Sequence, residues 1–89
     1  MADGVQSLEV TVRFFAAARA AAGIESDQLS VHPGTTVADV VNELACRNEE
    51  LARVLQRCSY LCDGIAVRNQ AKGVQHGQTL DVLPPFAGG

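Results

Sequence analysis

Residues 8–15 read LEVTVRFF, and their alternation of apolar and polar side chains is typical of a half-buried β-strand. Val10, Val12 and Phe14 form the face that we expect to point into a core. Phe15 falls on the opposite, polar face, where it is either covered by the segment that follows or available to a partner. Because the whole chain has 89 residues, this strand and the elements after it must share one core.

Helical and strand signals alternate in the middle of the chain. Residues 16–22 are rich in alanine and end at a glycine, which suits a helical turn, and residues 28–32 alternate as a second strand that we expect to pair with the first. Thr36 and Asp39 have the spacing of a capping box. The main helix that they open carries one apolar stripe, made of Val37, Val40, Val41, Leu44 and Ala45. Asn48 is expected to cap a second short helix.

The last third of the chain returns to strands. Residues 60–62 and 65–67 flank Asp63-Gly64, which is typical of a tight hairpin turn, and residues 79–83 form the final strand. In that strand we expect Leu80 and Val82 to point inward. Asp81 and Leu83 are expected to point outward. Two strands, a helix and further strands within one core predict an α+β fold.

Composition excludes several classes of partner. The net charge is −3, the sequence pI is about 5.1 and Lys72 is the single lysine, so we expect no nucleic-acid partner. We expect no membrane partner either, because no apolar run approaches the length that spans a bilayer. The N-terminal MADGVQS lacks the features of a signal peptide, and we therefore expect a cytoplasmic protein.

Cysteines and histidines do not assemble a recognisable site in the sequence. Cys46, Cys58 and Cys62 are an odd number without metal-ligand spacing, so we interpret them as reduced, small buried hydrophobes and predict no metal site. His32 and His76 fall in predicted turns, and we interpret both as solvated loop residues. The chain alone is therefore not expected to be a complete enzyme.

The C-terminal hexapeptide PPFAGG, residues 84–89, is the segment that carries chemistry. Pro84 and Pro85 fix the backbone and hold the exit from the last strand extended. Gly88 and Gly89 have no side chains, so they can thread a narrow slot and deliver the α-carboxylate to the active site of another protein. The alternative is an ordinary frayed terminus.

Two apolar positions beside the tail are candidate partner contacts. The inward set of the final strand does not account for Leu83, and Phe86 lies within the tail itself. Phe86 is the stronger candidate anchor, because aromatic side chains dominate interface hot spots. Phe15 is the third candidate.

The strand start VRFFA (12–16), the helix opening TVAD (36–39) and the ending DVLPPFAGG (81–89) resemble the ubiquitin-like sulfur carriers. The similarity is to the MoaD family, the small subunit of molybdopterin synthase. It implies a ubiquitin-like β-grasp fold, in which a mixed sheet packs on one main helix and the first and last strands lie adjacent and parallel. It also divides the chain into a flexible N-terminus (1–7), a β-grasp domain (8–83) and an extended Gly-Gly tail (84–89).

The resemblance also implies chemistry and partners. An E1-like adenylating enzyme would use ATP to activate Gly89, a sulfurtransferase would supply sulfur to form a thiocarboxylate, and Gly88 would provide clearance. The large subunit of molybdopterin synthase would then accept the sulfur for dithiolene formation, within a heterotetramer. Pro84, Pro85 and Phe86 would set the angle and contacts of the tail. No cofactor is expected to stay bound to the chain.

Two other functions remain open at this point. One is a ubiquitin-like protein modifier whose Gly89 becomes joined to lysines of other proteins, since adenylation is common to both routes. The other is a sulfur carrier for thiamine thiazole or cysteine synthesis. The Pro84-Pro85 pair favours the molybdopterin branch.

Overall fold

A computed structural model describes residues 7–85 of the chain. The strands and helices follow one another in the order that the sequence predicts. In chain order they are β1 (Leu8–Phe14), α1 (Ala16–Ala22), β2 (Ser26–Val31), α2 (Val37–Arg47), α3 (Glu49–Leu55), β3 (Ser59–Cys62), β4 (Ile65–Ala66) and β5 (Thr79–Leu83).

The five described strands form one mixed sheet in the order β2-β1-β5-β3-β4. β1 pairs antiparallel with β2 and parallel with β5, and β3 pairs antiparallel with both β5 and β4. The expectation that the first and last strands lie adjacent and parallel near the centre of the sheet is confirmed. The loop before β5 fixes the start of this pairing, because Thr11 donates its backbone N–H to the carbonyl of Gln78 at 3.0 Å.

Helices α2 and α3 begin where the sequence places their caps. At the start of α2, Asp39 N–H donates to the Thr36 hydroxyl at 3.1 Å, and Thr36 N–H donates back to the Asp39 carboxylate at 3.0 Å. Asn48 caps α3 and also donates to the carbonyl of Ala21 at 2.7 Å, which ties α1 to the junction of the other two helices. None of the helices in this part of the chain is long and apolar enough to cross a membrane.

One core fills the space between the sheet and the helices. The buried side chains of β1, β3 and β5 and those of all three described helices belong to the same cluster, led by Val10, Val12, Val37, Val40, Leu44, Leu80 and Val82. The opposite face of the sheet lies outside this cluster. The helices therefore cover one face of the sheet and leave the other open across the described residues.

Some boundaries and exposures differ from the sequence-based expectation. β2 begins at Ser26, two residues earlier than predicted, because backbone pairing with Arg13 extends the strand through side chains that show no apolar pattern. Cys46 is exposed on α2, so its interpretation as a buried hydrophobe is wrong, whereas Cys62 is buried. The division of the chain at residues 7/8 and 83/84 stays a prediction.

Candidate functional site

The carboxyl ends of β1 and β5 meet at one edge of the sheet because the two strands are parallel. The last paired positions are Phe14 and Val82, and the N–H of Phe15 donates to the carbonyl of Val82 at 3.3 Å. The chain leaves β5 through Pro84 and Pro85 at this same edge. The predicted tail therefore starts beside the junction of β1 and α1.

An apolar groove of about 460 Å³ opens at this edge of the sheet. Its wall combines the end of β1, the first turn of α1, the start of β3 and the exit of β5. The lining residues are Phe15, Ala16, Ala17, Ser59, Leu83, Pro84 and Pro85. Aliphatic and aromatic surface with one hydroxyl group suits an apolar side chain of a partner more than a charged ligand.

The turn from β1 into α1 shapes one side of the groove. Ala16 has φ of 50°, a left-handed conformation that costs an alanine roughly 1–2 kcal/mol. The carbonyl of Phe15 accepts the N–H of Ala18 at 2.9 Å, so the helix starts at once after the strand. This sharp turn keeps Phe15 at the surface, where it is 36% exposed, and excludes the alternative that the following segment covers it fully.

The open face of the sheet continues the apolar surface away from the groove. The strand register places Ser59 opposite Leu83 and Leu61 opposite Asp81, with all four side chains on that face. Leu61 and Leu83 are half-buried. Phe15, Leu61 and Leu83 form a discontinuous apolar surface, which we call the outer-face patch.

A charged pair lies within the outer-face patch. Arg13 and Asp81 are register partners on the parallel strands, and the guanidinium Nε and Nη2 donate to the two carboxylate oxygens at 2.7 and 2.9 Å. Asp81, which the sequence places outward, is only 7% exposed. The hydrogen bond and the negative charge of Asp81 raise the pKa of Arg13 above its ordinary value. The guanidinium carbon lies 5.4 Å from the centre of the Phe15 ring, which is within range of a cation–π contact.

The cysteines lie away from the groove. The Cys58 thiol donates to the carbonyl of Val54 at 3.2 Å, and burial raises its pKa. Burial also raises the pKa of Cys62, on the inner face of β3. The described lining of the groove includes neither of these thiols nor that of Cys46.

The histidines differ from one another. His32 is exposed after β2, as a solvated loop residue should be. His76 accepts the N–H of Glu9 at 3.1 Å through Nδ1 and thereby holds the loop before β5 against β1. His76 is exposed in a loop, as predicted, and the N–H of Gly77 adds a second contact by donating to the carbonyl of Glu9 at 2.8 Å. Among residues 7–85, no cluster of three or more His, Cys, Asp or Glu side chains could hold a metal ion.

Four of the residues selected from the sequence come together in the structure. Phe15, Leu83, Pro84 and Pro85 all line the groove. Phe86, Gly88 and Gly89 lie outside the described residues, and the roles proposed for them stay predictions. Sequence reasoning missed Leu61 and the Arg13–Asp81 pair. Leu61 could have been found, since Tyr60 and Cys62 on either side of it point inward and force it outward.

Comparisons with known proteins agree with this geometry. The sequence model of the ThiS family matches residues 12–89. The molybdopterin synthase sulfur carrier subunit of Arabidopsis thaliana is 30% identical over 87 residues, which cover 98% of this chain and 90% of that protein.

Solved structures give the fold. The HVO 2177 protein of Haloferax volcanii is 28% identical with a TM-score of 0.85, covering 100% of this chain and 93% of that one. Small archaeal modifier protein 1 of Methanosarcina acetivorans is 25% identical with a TM-score of 0.79, covering 94% and 99%. Subunits 1 and 2 of the molybdopterin-converting factor of Helicobacter pylori form a complex, in which the matching chain is 21% identical with a TM-score of 0.69, covering 92% and 100%. The predicted ubiquitin-like β-grasp fold is confirmed.

Proposed function

Since the chain belongs to the ThiS family, we propose that it is the sulfur carrier subunit of a molybdopterin synthase. The observation that carries the proposal is the similarity to the Arabidopsis thaliana sulfur carrier subunit over nearly the whole of both chains. The groove where β5 ends supports it, because a carrier needs a binding surface next to the segment that it delivers.

The chemistry assigned to Gly89 is acyl activation followed by sulfur transfer. The terminal carboxylate attacks the α-phosphate of ATP, which forms an acyl adenylate and releases pyrophosphate. A sulfide equivalent, delivered by a sulfurtransferase as a persulfide with a thiol reductant, then displaces AMP and leaves a thiocarboxylate. The domain contributes no catalytic side chain to these steps. Its part is to present the carboxyl group to the active sites of the E1-like adenylating enzyme and the large synthase subunit.

The outer-face patch and the groove are the proposed docking surface for the large subunit. Phe15 and Leu83 belong to both, so a partner that covers the patch also meets the start of the tail. Pro84 and Pro85 restrict the backbone at the exit, which lowers the entropy lost when the tail is captured. The complex of the two Helicobacter pylori subunits is consistent with such a pairing.

Mass spectrometry of the intact protein isolated from cells tests the sulfur carrier function. Replacing one terminal oxygen by sulfur adds about 16 Da, the same increment as oxidation of a methionine or cysteine. The matched control is the chain without Gly89, which keeps every oxidisable side chain. We expect the increment on the C-terminal fragment of the full chain only. Its presence in the truncated chain as well, or its absence from the full chain of cells that make molybdopterin, would contradict the proposal.

A second candidate is a ubiquitin-like protein modifier. The similarity to small archaeal modifier protein 1 of Methanosarcina acetivorans favours it, since that structure matches 94% of this chain. The modifier function predicts Gly89-dependent covalent adducts of higher mass on denaturing gels. The carrier function predicts a non-covalent, stoichiometric complex with the large subunit, so purification of the tagged chain separates the two.

A further inference from the structure

Arg13 holds a central position in the outer-face patch. It lies on β1 between the side chain of Phe15, which directly follows the strand, and the carboxylate of Asp81 on β5. Leu61 lies beyond Asp81 on β3. Its side chain is 52% exposed, although that of Asp81 is only 9% exposed. A partner that covers Phe15 and Leu61 must therefore also cover this guanidinium.

The guanidinium is fixed before any partner arrives. Nε and Nη2 bind both oxygens of Asp81, and the plane of the group lies near the ring of Phe15. Charge-assisted bidentate pairs of this kind are short and directional. The orientation of Arg13 is thus imposed by Asp81 and by Phe15, so little side-chain entropy is left to lose when a partner binds.

One edge of the guanidinium remains available in the described structure. Arginine has five N–H donors, and the contact with Asp81 uses one on Nε and one on Nη2. Within residues 7–85, no acceptor is bound to Nη1. Nη1 and the second hydrogen of Nη2 form the end of the fork, where two parallel N–H bonds fit the two oxygens of a carboxylate.

We propose that Arg13 determines partner specificity by binding an Asp or Glu carboxylate of the large subunit through this free edge. The inference rests on the proposed function for the identity of the partner. Its physical basis is desolvation: an apolar surface laid over Phe15 and Leu61 would strip water from these donors, and buried donors without an acceptor oppose binding. A facing carboxylate satisfies both donors at once, whereas a facing lysine or arginine is repelled. Arg13 is a positioning and recognition residue and takes no part in the sulfur chemistry.

Titration calorimetry with the purified large subunit tests the inference on the full chain. Arg13→Lys keeps the positive charge and one donor to Asp81 but removes the bidentate edge. We expect the Kd to rise about ten-fold, as the loss of a charged hydrogen bond implies. Arg53→Lys makes the same change at an exposed position of α3 and should leave the Kd unchanged. A Kd for Arg13→Lys within two-fold of the wild type would overturn the inference.

Two further readouts keep the test decisive. Melting curves show whether Arg13→Lys is folded at the temperature of the titration. If the variant is unfolded, nuclear magnetic resonance of the ¹⁵N-labelled wild-type chain replaces the titration. We expect the large subunit to slow the rotation of the Arg13 guanidinium, so that its Nη signals are resolved in the complex. Unchanged Arg13 signals in the complex would refute the contact. Absence of binding by the wild-type chain would overturn the proposed function, and this inference with it.

Discussion

Replacing Phe15 with alanine should weaken binding to the proposed partner, the large subunit of molybdopterin synthase. Phe15 is 36% exposed at the groove, and a phenylalanine side chain offers roughly 200 Å² of surface, so about 70 Å² remain for a partner to cover. At about 25 cal/mol per Å² this area contributes ~1.8 kcal/mol, which corresponds to a roughly 20-fold higher Kd for the alanine variant. Loss of the contact with the Arg13 guanidinium acts in the same direction.

The assay is titration calorimetry of the variant and of a matched control. Ile24 is 45% exposed in the segment after α1 and does not line the groove, so Ile24→Ala removes a similar apolar surface from another place. Phe15→Ala also removes packing on the covered part of the ring and should lower the melting temperature by several degrees. Both titrations should therefore be run at a temperature well below the unfolding midpoint of the variants. An unchanged Kd for Phe15→Ala, or an equal loss for Ile24→Ala, would refute the assignment of the docking surface.

Three further predictions concern stability and side-chain ionisation. Burial raises the pKa of Tyr60 above its ordinary value of about 10, so the stability that neutral Tyr60 contributes should be complete below pH ~10 and lost as the pH rises through the folded pKa. Because Tyr60 is the single tyrosine, a pH titration followed by tyrosinate absorbance reports its ionisation alone. Equal titration midpoints for the native and the urea-unfolded chain would contradict the raised pKa. Iodoacetamide should label exposed Cys46 well before Cys58 and Cys62, because burial raises the pKa of the latter two thiols and lowers their thiolate fraction. Equal labelling rates of the three cysteines, measured by peptide mapping, would disprove the difference. Asn48→Ala should cost about 1–2 kcal/mol, since it removes the cap of α3 and the bond to Ala21, and a melting curve that matches the wild type would exclude that role.

The sequence predicted most of the helices, strands and turns, because the interactions that begin or end them lie within a few residues of one another. The capping box of Thr36 and Asp39 and the cap at Asn48 satisfy donors within a few residues of the cap, so their spacing alone indicates where a helix begins. The turn at Asp63 and Gly64 is equally local: both residues have positive φ, 51° and 82°, as the tight hairpin requires.

Exposure was harder to predict, because it depends on neighbours that are distant in sequence. Asp81 is an outward position by strand periodicity, yet it is buried, since Arg13 and the neighbouring strands cover it. Phe15 could have been covered by the segment after it, and the left-handed turn at Ala16 is what leaves part of it exposed. Neither outcome follows from the period of the side chains.

The sequence by itself determined the order of the elements, their inward faces and the resemblance carried by the final segment, because these depend on periodicity, capping and motif. The resemblance already implied that β1 and β5 lie adjacent and parallel, but only the tertiary structure decided their register, which joins Arg13 to Asp81 across 68 positions and places Phe15 beside Leu83. The physical reason is that the register between two strands distant in sequence is set by the packing of their inward side chains in one core, which no local pattern specifies. The surface beside the exit of β5 exists only once that packing is complete.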